Sequence, residues 1–153
     1  MSSASQHNAG GSMAGYLFQS RLALLRGLQM VKKKANGSIS IEKFDDVAFE
    51  DDDFSKCLIQ AKHSINSKSL SDKSVDLWKS LKVWMDQLEE GVITYNSTKF
   101  LLITTATAVD ECAAAYLRAG ASDEEREKAL IALRVAAEKS KNGETKAARM
   151  TCP

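Results

Sequence analysis

The segment Phe100-Leu-Leu-Ile103-Thr-Thr105 runs apolar and then β-branched, with no polar residue before its threonines. This is the pattern of a strand covered on both faces, and such a strand needs a packing layer on each side of its sheet. Upstream of it, Leu77, Trp78, Leu81, Trp84, Met85 and Leu88 form an i, i+3, i+4, i+7 stripe. The stripe predicts an amphipathic helix, with Gly91 as the left-handed residue after its end. A helix feeding a buried strand points to a mixed fold of helices and strands.

The rest of the pattern extends that class. From Met13 the apolar positions Tyr16, Leu17, Leu24, Leu25, Leu28 and Val31 recur at helical spacing, and Lys32-Lys33-Lys34 close the segment where cations favour a helix C-terminus. Ser38-Ile39-Ser40-Ile41-Glu42 alternates with the period of a half-buried strand, and Val47-Ala48-Phe49 reads as a second extended piece. The acidic run at 50–53 predicts a turn. Cys57-Leu-Ile-Gln-Ala-Lys-His63 is a third strand, bounded by the serine-rich stretch 64–74. Residues 110–118 predict a third helix. Ser122-Asp-Glu-Glu125 is a capping box opening a fourth, which runs to about Lys139 with Leu130, Leu133 and Val135 inside. The expected fold is α/β, an α+β mixed sheet of element order α-β-β-β-α-β with two extra C-terminal helices. Residues 1–11, small and polar, are expected as a disordered arm, 12–145 as the folded domain, and 146–153 as a tail or the start of a truncated linker.

Composition bounds the function. A chain of 153 residues with 44% apolar content suits one domain with its own core. Its 21 Lys+Arg against 20 Asp+Glu leave a net charge of +1, which argues against a constitutive polyanion binder but allows a basic groove offset by acids elsewhere. Cys57, Cys112 and Cys152 form no CxxC pair and no even framework, so zinc is not expected and a reducing cytoplasm is. No apolar stretch nears the roughly 20 residues of a membrane span, and the polar start lacks a signal-peptide core.

Two clusters carry candidate chemistry. Residues i and i+2 of a strand share a face, so Gln60 and Lys62 present an amide and an ammonium on one side while Ile59 and Ala61 pack on the other. The bland alternative is a half-exposed strand with solvated polar residues. The second cluster is Glu42, Asp45 and Asp46, where one strand ends and the next begins. In a straight strand Glu42 and Asp46 would stand about 13 Å apart, too far to share a metal unless the chain bends. Asp46 is favoured because it adjoins the middle strand and can lie beside Gln60. The alternative is a pair of turn-forming aspartates. His63 falls on the face opposite Lys62, as a packing or rim residue.

Taken together, Gly15-Tyr16-Leu17-Phe18-Gln19, Ile41-Glu42-Lys43-Phe44-Asp45-Asp46-Val47, Ile59-Gln60-Ala61-Lys62-His63 and Leu77-Trp78-Lys79-Ser80-Leu81 resemble the double-stranded-DNA endonuclease domain of bacterial antiphage effectors. That domain belongs to the PD-(D/E)XK superfamily, with its restriction-endonuclease-like core, and the resemblance covers about residues 12–145. It implies Asp46 as the metal-binding acid, Gln60 in place of the second acid, and Lys62 as the catalytic lysine. Mg2+, with Mn2+ as substitute, would be held by Asp46, Gln60 and the backbone carbonyl of Ala61. Glu42, Asp45, Gln19 and His63 are supporting candidates. Glu42 is set against a surface role, and Gln19 against a plain helix-surface amide.

The resemblance further implies double-stranded DNA as substrate and a HerA-type ATPase, a STAND ATPase or a cyclic-oligonucleotide sensor as partner. Low sequence selectivity is expected because no base-reading element is evident, and a homo-oligomer because one such site hydrolyses one strand and a double-strand break needs two. The helices near Cys112 to Tyr116 and from Ser122 are the expected self-association surface. A different class stays open: a catalytically silent module that docks on an ATPase or sensor.

Overall fold

The computed structural model describes residues 4–33, 35–43, 45–51, 56–63 and 69–139, with side chains from residue 12 onward. Lys34, Phe44, Asp52, Asp53, the stretch 64–68 and the tail with Cys152 lie outside the described residues. The chain divides into two compact units. One takes the described residues up to His63 together with 93–105, and the other takes 69–92 and 106–139.

The first unit is a helix on a mixed sheet. Helix α1 (Ala4–Lys32) is followed by β1 (Gly37–Ile41), β2 (Val47–Asp51) and β3 (Lys56–Lys62), and the chain returns from the second unit with β5 (Thr98–Thr104). The sheet order is β1-β2-β3-β5, with two antiparallel pairs and a parallel β3/β5 pair. Strand alternation sends Ile59 and Ala61 to the α1 side, where they form a core with Leu22, Ala23 and Val47, flanked by Phe18, Ile41, Phe49, Cys57 and Ile103. Leu58, Gln60 and Lys62 take the other face, level with Phe100, Leu102 and Thr104. Gly37 is required where β1 meets β2. Its φ is +152°, and a Cβ there would stand 2.5 Å from the carbonyl oxygen of Glu50.

Three features of this unit differ from expectation. Helix α1 starts at Ala4 and so takes in most of the segment expected as a disordered arm; that segment holds no proline to stop a helix propagating backwards from Met13. The side of α1 that meets the sheet is Phe18, Leu22 and Ala23. The six residues that mark the helix by spacing, from Tyr16 to Val31, are each between 49% and 74% exposed. Glu50 and Asp51 belong to β2 rather than to a turn, because Glu50 sits across from Lys56 and pairs with it at 3.7 Å.

The second unit holds β4 (Ser69–Leu70), α2 (Val75–Glu89), β6 (Thr107–Ala108), α3 (Ala113–Tyr116) and α4 (Asp123–Lys139), with β4 and β6 paired in parallel. Helix α2 ends in a Schellman turn. Gly91 at φ +69° donates to the Leu88 carbonyl, and Val92 donates to that of Gln87 at 3.0 Å. Trp78 and Ala137 form its core with Leu81, Met85, Leu133 and Ala136, and the Trp78 indole N–H donates to the Asp72 carbonyl at 2.7 Å. The capping box of α4 is reciprocal. Glu125 N–H donates to Ser122 Oγ at 3.2 Å, and Ser122 N–H donates to Glu125 Oε2 at 2.7 Å. The buried side of α4 is Ala129 and Ala137, whereas Leu130 and Val135 are exposed; of the two alanines, Ala137 packs with Trp78, beside Leu133 and Ala136. Within 110–118 only α3 is helical. Among the described residues no helix is long and apolar enough to cross a membrane.

Candidate functional site at the end of the central strand

The β1/β2 hairpin closes at the pair Ile41 and Val47. Across its loop Glu42 N–H donates to the Asp46 carbonyl at 3.3 Å. Glu42 carries φ +58°, a left-handed conformation that costs on the order of 1 kcal/mol for a residue with a Cβ. The chain therefore bends between Glu42 and Asp46, unlike the straight strand considered above, and delivers Asp45 and Asp46 to the edge of β3.

The ladder between β2 and β3 ends at Val47 and Ile59. One antiparallel step further, the backbone of Asp45 would receive the Ala61 N–H. Instead that N–H donates to Asp46 Oδ2 at 2.7 Å, so a side chain takes over where the backbone ladder stops. A strand residue points its N–H and C=O to the same edge, which turns the Ala61 carbonyl toward the side where Asp46 lies. The same Oδ2 stands 3.9 Å from Lys62 Nζ, with the two side chains 16% and 31% exposed.

Asp45 is buried, and its Oδ1 accepts the Asp46 N–H at 2.9 Å and a short hydrogen bond from the Gln60 amide. This corrects one expectation: the carboxylate beside Gln60 is that of Asp45, while Asp46 lies beside Ala61 and Lys62. An ionised carboxylate only accepts, so Gln60 directs its NH2 at Asp45 and its carbonyl oxygen is the end with chemistry for a cation.

The other candidates stand apart from this group. Glu42 enters through its backbone N–H, and its side chain is exposed. The His63 ring packs on Phe18 with centroids 5.4 Å apart, on the α1 side of the sheet. Gln19 shares the helix stripe of Leu22 and Ala23, and its Oε1 is buried with no hydrogen-bond partner among the described residues.

Among the described residues no three His, Cys, Asp or Glu side chains group as a metal site. The donors gathered here are two carboxylates, one amide oxygen and one backbone carbonyl. All are oxygen, which fits Mg2+ or Mn2+ rather than zinc, and the set is poor in negative charge.

Sequence reasoning missed a second feature at the opposite end of β3. A cavity of about 430 Å³ is lined by Arg26, Lys33, Lys56 and Lys99, by the acid Asp51, and by apolar residues that include Phe49 and Ile59. Arg26 Nε and Thr98 Oγ1 are buried there without hydrogen-bond partners among the described residues. Burial pushes the Cys57 thiol above its ordinary range, and the charges of Arg26 and Lys99 partly counter it. Arg26 on α1 and Lys33 just past its end, seven residues apart, were the legible half of this cluster. The register that brings Lys99 level with Cys57 was not legible. Comparison with family models, with curated proteins and with solved structures gave no match.

Proposed function

We propose that the chain is a metal-dependent endonuclease of double-stranded DNA with low sequence selectivity, of the PD-(D/E)XK kind, acting in the cytoplasm as the effector of a bacterial antiphage system. The observation that carries this reading is the convergence on one carboxylate: Asp46 Oδ2 accepts the Ala61 N–H at 2.7 Å and faces Lys62 Nζ at 3.9 Å. A helix followed by a sheet of order β1-β2-β3-β5, with its last pair parallel, supports it.

Asp46, the amide oxygen of Gln60 and the Ala61 carbonyl would hold Mg2+ or Mn2+, which when bound acidifies a water and polarises the scissile phosphate. Lys62 offsets charge developing on the phosphate, or orients the attacking water. Asp45 fixes the Gln60 amide. Because Gln60 brings no charge, resting metal affinity is low and DNA phosphates complete the site. The cations around the cavity at the far end of β3 give a second place for phosphate contact despite the net charge of +1. A homo-oligomer and a HerA-type ATPase, STAND ATPase or cyclic-oligonucleotide sensor are the partners this reading implies.

A second reading, a silent docking module, draws on the neutral Gln60 and on the exposed apolar side of α1. One assay separates the two. Supercoiled plasmid is incubated with wild type, Asp46→Asn and Lys62→Ala in Mg2+, in Mn2+ and in excess EDTA. Nicking by wild type alone, and only with metal, is the expected result. Equal cutting by either variant, full activity in EDTA, or no cutting by micromolar wild type overturns the nuclease reading.

A further inference from the structure

Helix α1 is apolar on two opposite sides, and its own unit uses one of them. Leu22 and Ala23 face the sheet. At 100° per residue, Met13, Leu17, Leu24, Leu28 and Val31 fall in a sector about 60° wide on the opposite side, and each is 49% to 74% exposed. The stripe is about 27 Å long at 1.5 Å per residue. With roughly 100 Å² of apolar surface per side chain, it presents about 500 Å², the size at which a patch on a soluble protein marks an interaction site.

The arrangement of the stripe points to its occupant. Positions 13, 17, 20, 24, 28 and 31 read nearly the same in either direction about residue 22. When a second α1 lies antiparallel across the first, Met13 meets Val31, Leu17 meets Leu28 and Ser20 meets Leu24, each contact occurring twice. That reciprocity is what a two-fold interface demands. Ser20 is the small residue that lets the helices approach at the axis, and its hydroxyl already donates to the Tyr16 carbonyl of its own helix at 2.9 Å. Burying it therefore strands no polar group. Arg21 flanks the seam and is exposed, so its long stem can cover apolar surface while the guanidinium stays in water. Two stripes together remove about 1,000 Å² from water, the size from which a specific contact is sustained.

We propose that α1 docks on α1 of a second copy of this chain, antiparallel, about a two-fold axis between Ser20 and Leu24. This names the surface of the homo-oligomer in the functional reading above and moves it from the C-terminal helices to α1; its test does not depend on cleavage. The full chain is examined by sedimentation velocity from 1 to 100 μM, beside Leu24→Glu and Leu28→Glu, with circular dichroism on each. Wild type should sediment as a dimer, and each variant, equally helical, should raise the dissociation constant at least tenfold. The register is tested by mixing: Met13→Glu and Val31→Lys chains should each lose association alone and regain it together. A monomeric wild type at 100 μM overturns the proposal and gives the stripe to another partner. Dimers unaffected by Leu24→Glu overturn the surface, and failure of the mixed pair to associate overturns the antiparallel register.

Discussion

Asp46→Asn and Asp46→Ala separate the chemistry of this carboxylate from its structural duty. Asp46 ends the ladder by accepting the Ala61 N–H at 2.7 Å, and a hydrogen bond to a charged acceptor is worth about 1.5–3 kcal/mol. Its ion pair with Lys62, at 3.9 Å and partly exposed, adds less than about 1 kcal/mol. Asparagine keeps an acceptor for Ala61 and loses the charge, so Asp46→Asn should lie within about 1 kcal/mol of wild type by urea unfolding. Alanine leaves the N–H unpaired, so Asp46→Ala should lose about 2–3 kcal/mol. Cleavage should fall at least about 100-fold in both, since each removes a negatively charged oxygen donor from the proposed metal site. Plasmid nicking and urea titration on the same preparations read the two effects apart. Wild-type cutting by Asp46→Asn refutes the catalytic assignment, and unchanged stability of Asp46→Ala refutes the anchoring role.

The remaining predictions are independent of one another. Gly37→Ala should cost more than about 2 kcal/mol, because a Cβ would meet the Glu50 carbonyl oxygen at 2.5 Å; a thermal midpoint unchanged within 1 °C would show that β1 adjusts freely. Burial raises the Cys57 thiol above its ordinary 9.0, so its contribution to stability is fully present below that pH and is lost as pH rises through the folded value. The gap between wild type and Cys57→Ala should therefore shift against wild type above pH 9, and a gap flat from pH 7 to 10.5 contradicts the sign. DNA affinity should drop steeply between 50 and 200 mM salt, and Lys33→Ala with Lys99→Ala should flatten that slope; an unchanged slope removes the cavity from the DNA path.

Local signals in this chain were legible because they need no partner. The capping box of Ser122 and Glu125 and the left-handed Gly91 follow from backbone groups within one turn, and both occur as read. The orientation of α1 was not legible. Its apolar residues cover most of the helix circumference, so periodicity marks a helix without choosing which side meets the sheet. Leu130 and Val135 misled for a related reason: α4 is apolar on more than one side, and the side packed near Trp78 is that of Leu133, Ala136 and Ala137. Two-residue strands such as β4 and β6 hold too few residues to carry a period. Within the site, the shared face of Gln60 and Lys62 follows from strand alternation alone. The exchange of partners between Asp45 and Asp46 depends on a loop whose bend, with Glu42 at φ +58°, no spacing rule supplies.

That exchange also gives a physical reason for glutamine at position 60. Gln60 and Asp45 are both buried, and they share a short hydrogen bond in which the amide donates to the carboxylate. Glutamate at 60 has nearly the same shape but no donor when ionised, and it would press a second negative charge against Asp45. The lost donor and the like-charge contact together should destabilise Gln60→Glu by about 3 kcal/mol at pH 7. The loss should shrink below about pH 4, where a protonated acid regains a hydrogen to donate. Mg2+ at millimolar concentration should narrow the same gap if Asp46 and position 60 hold a cation together, because the added charge then finds a partner. Urea titrations at pH 4 and pH 7, with and without Mg2+, test each step. A Gln60→Glu chain as stable as wild type at pH 7 would mean that Asp45 does not confront residue 60, and the charge-poor site would then need another explanation.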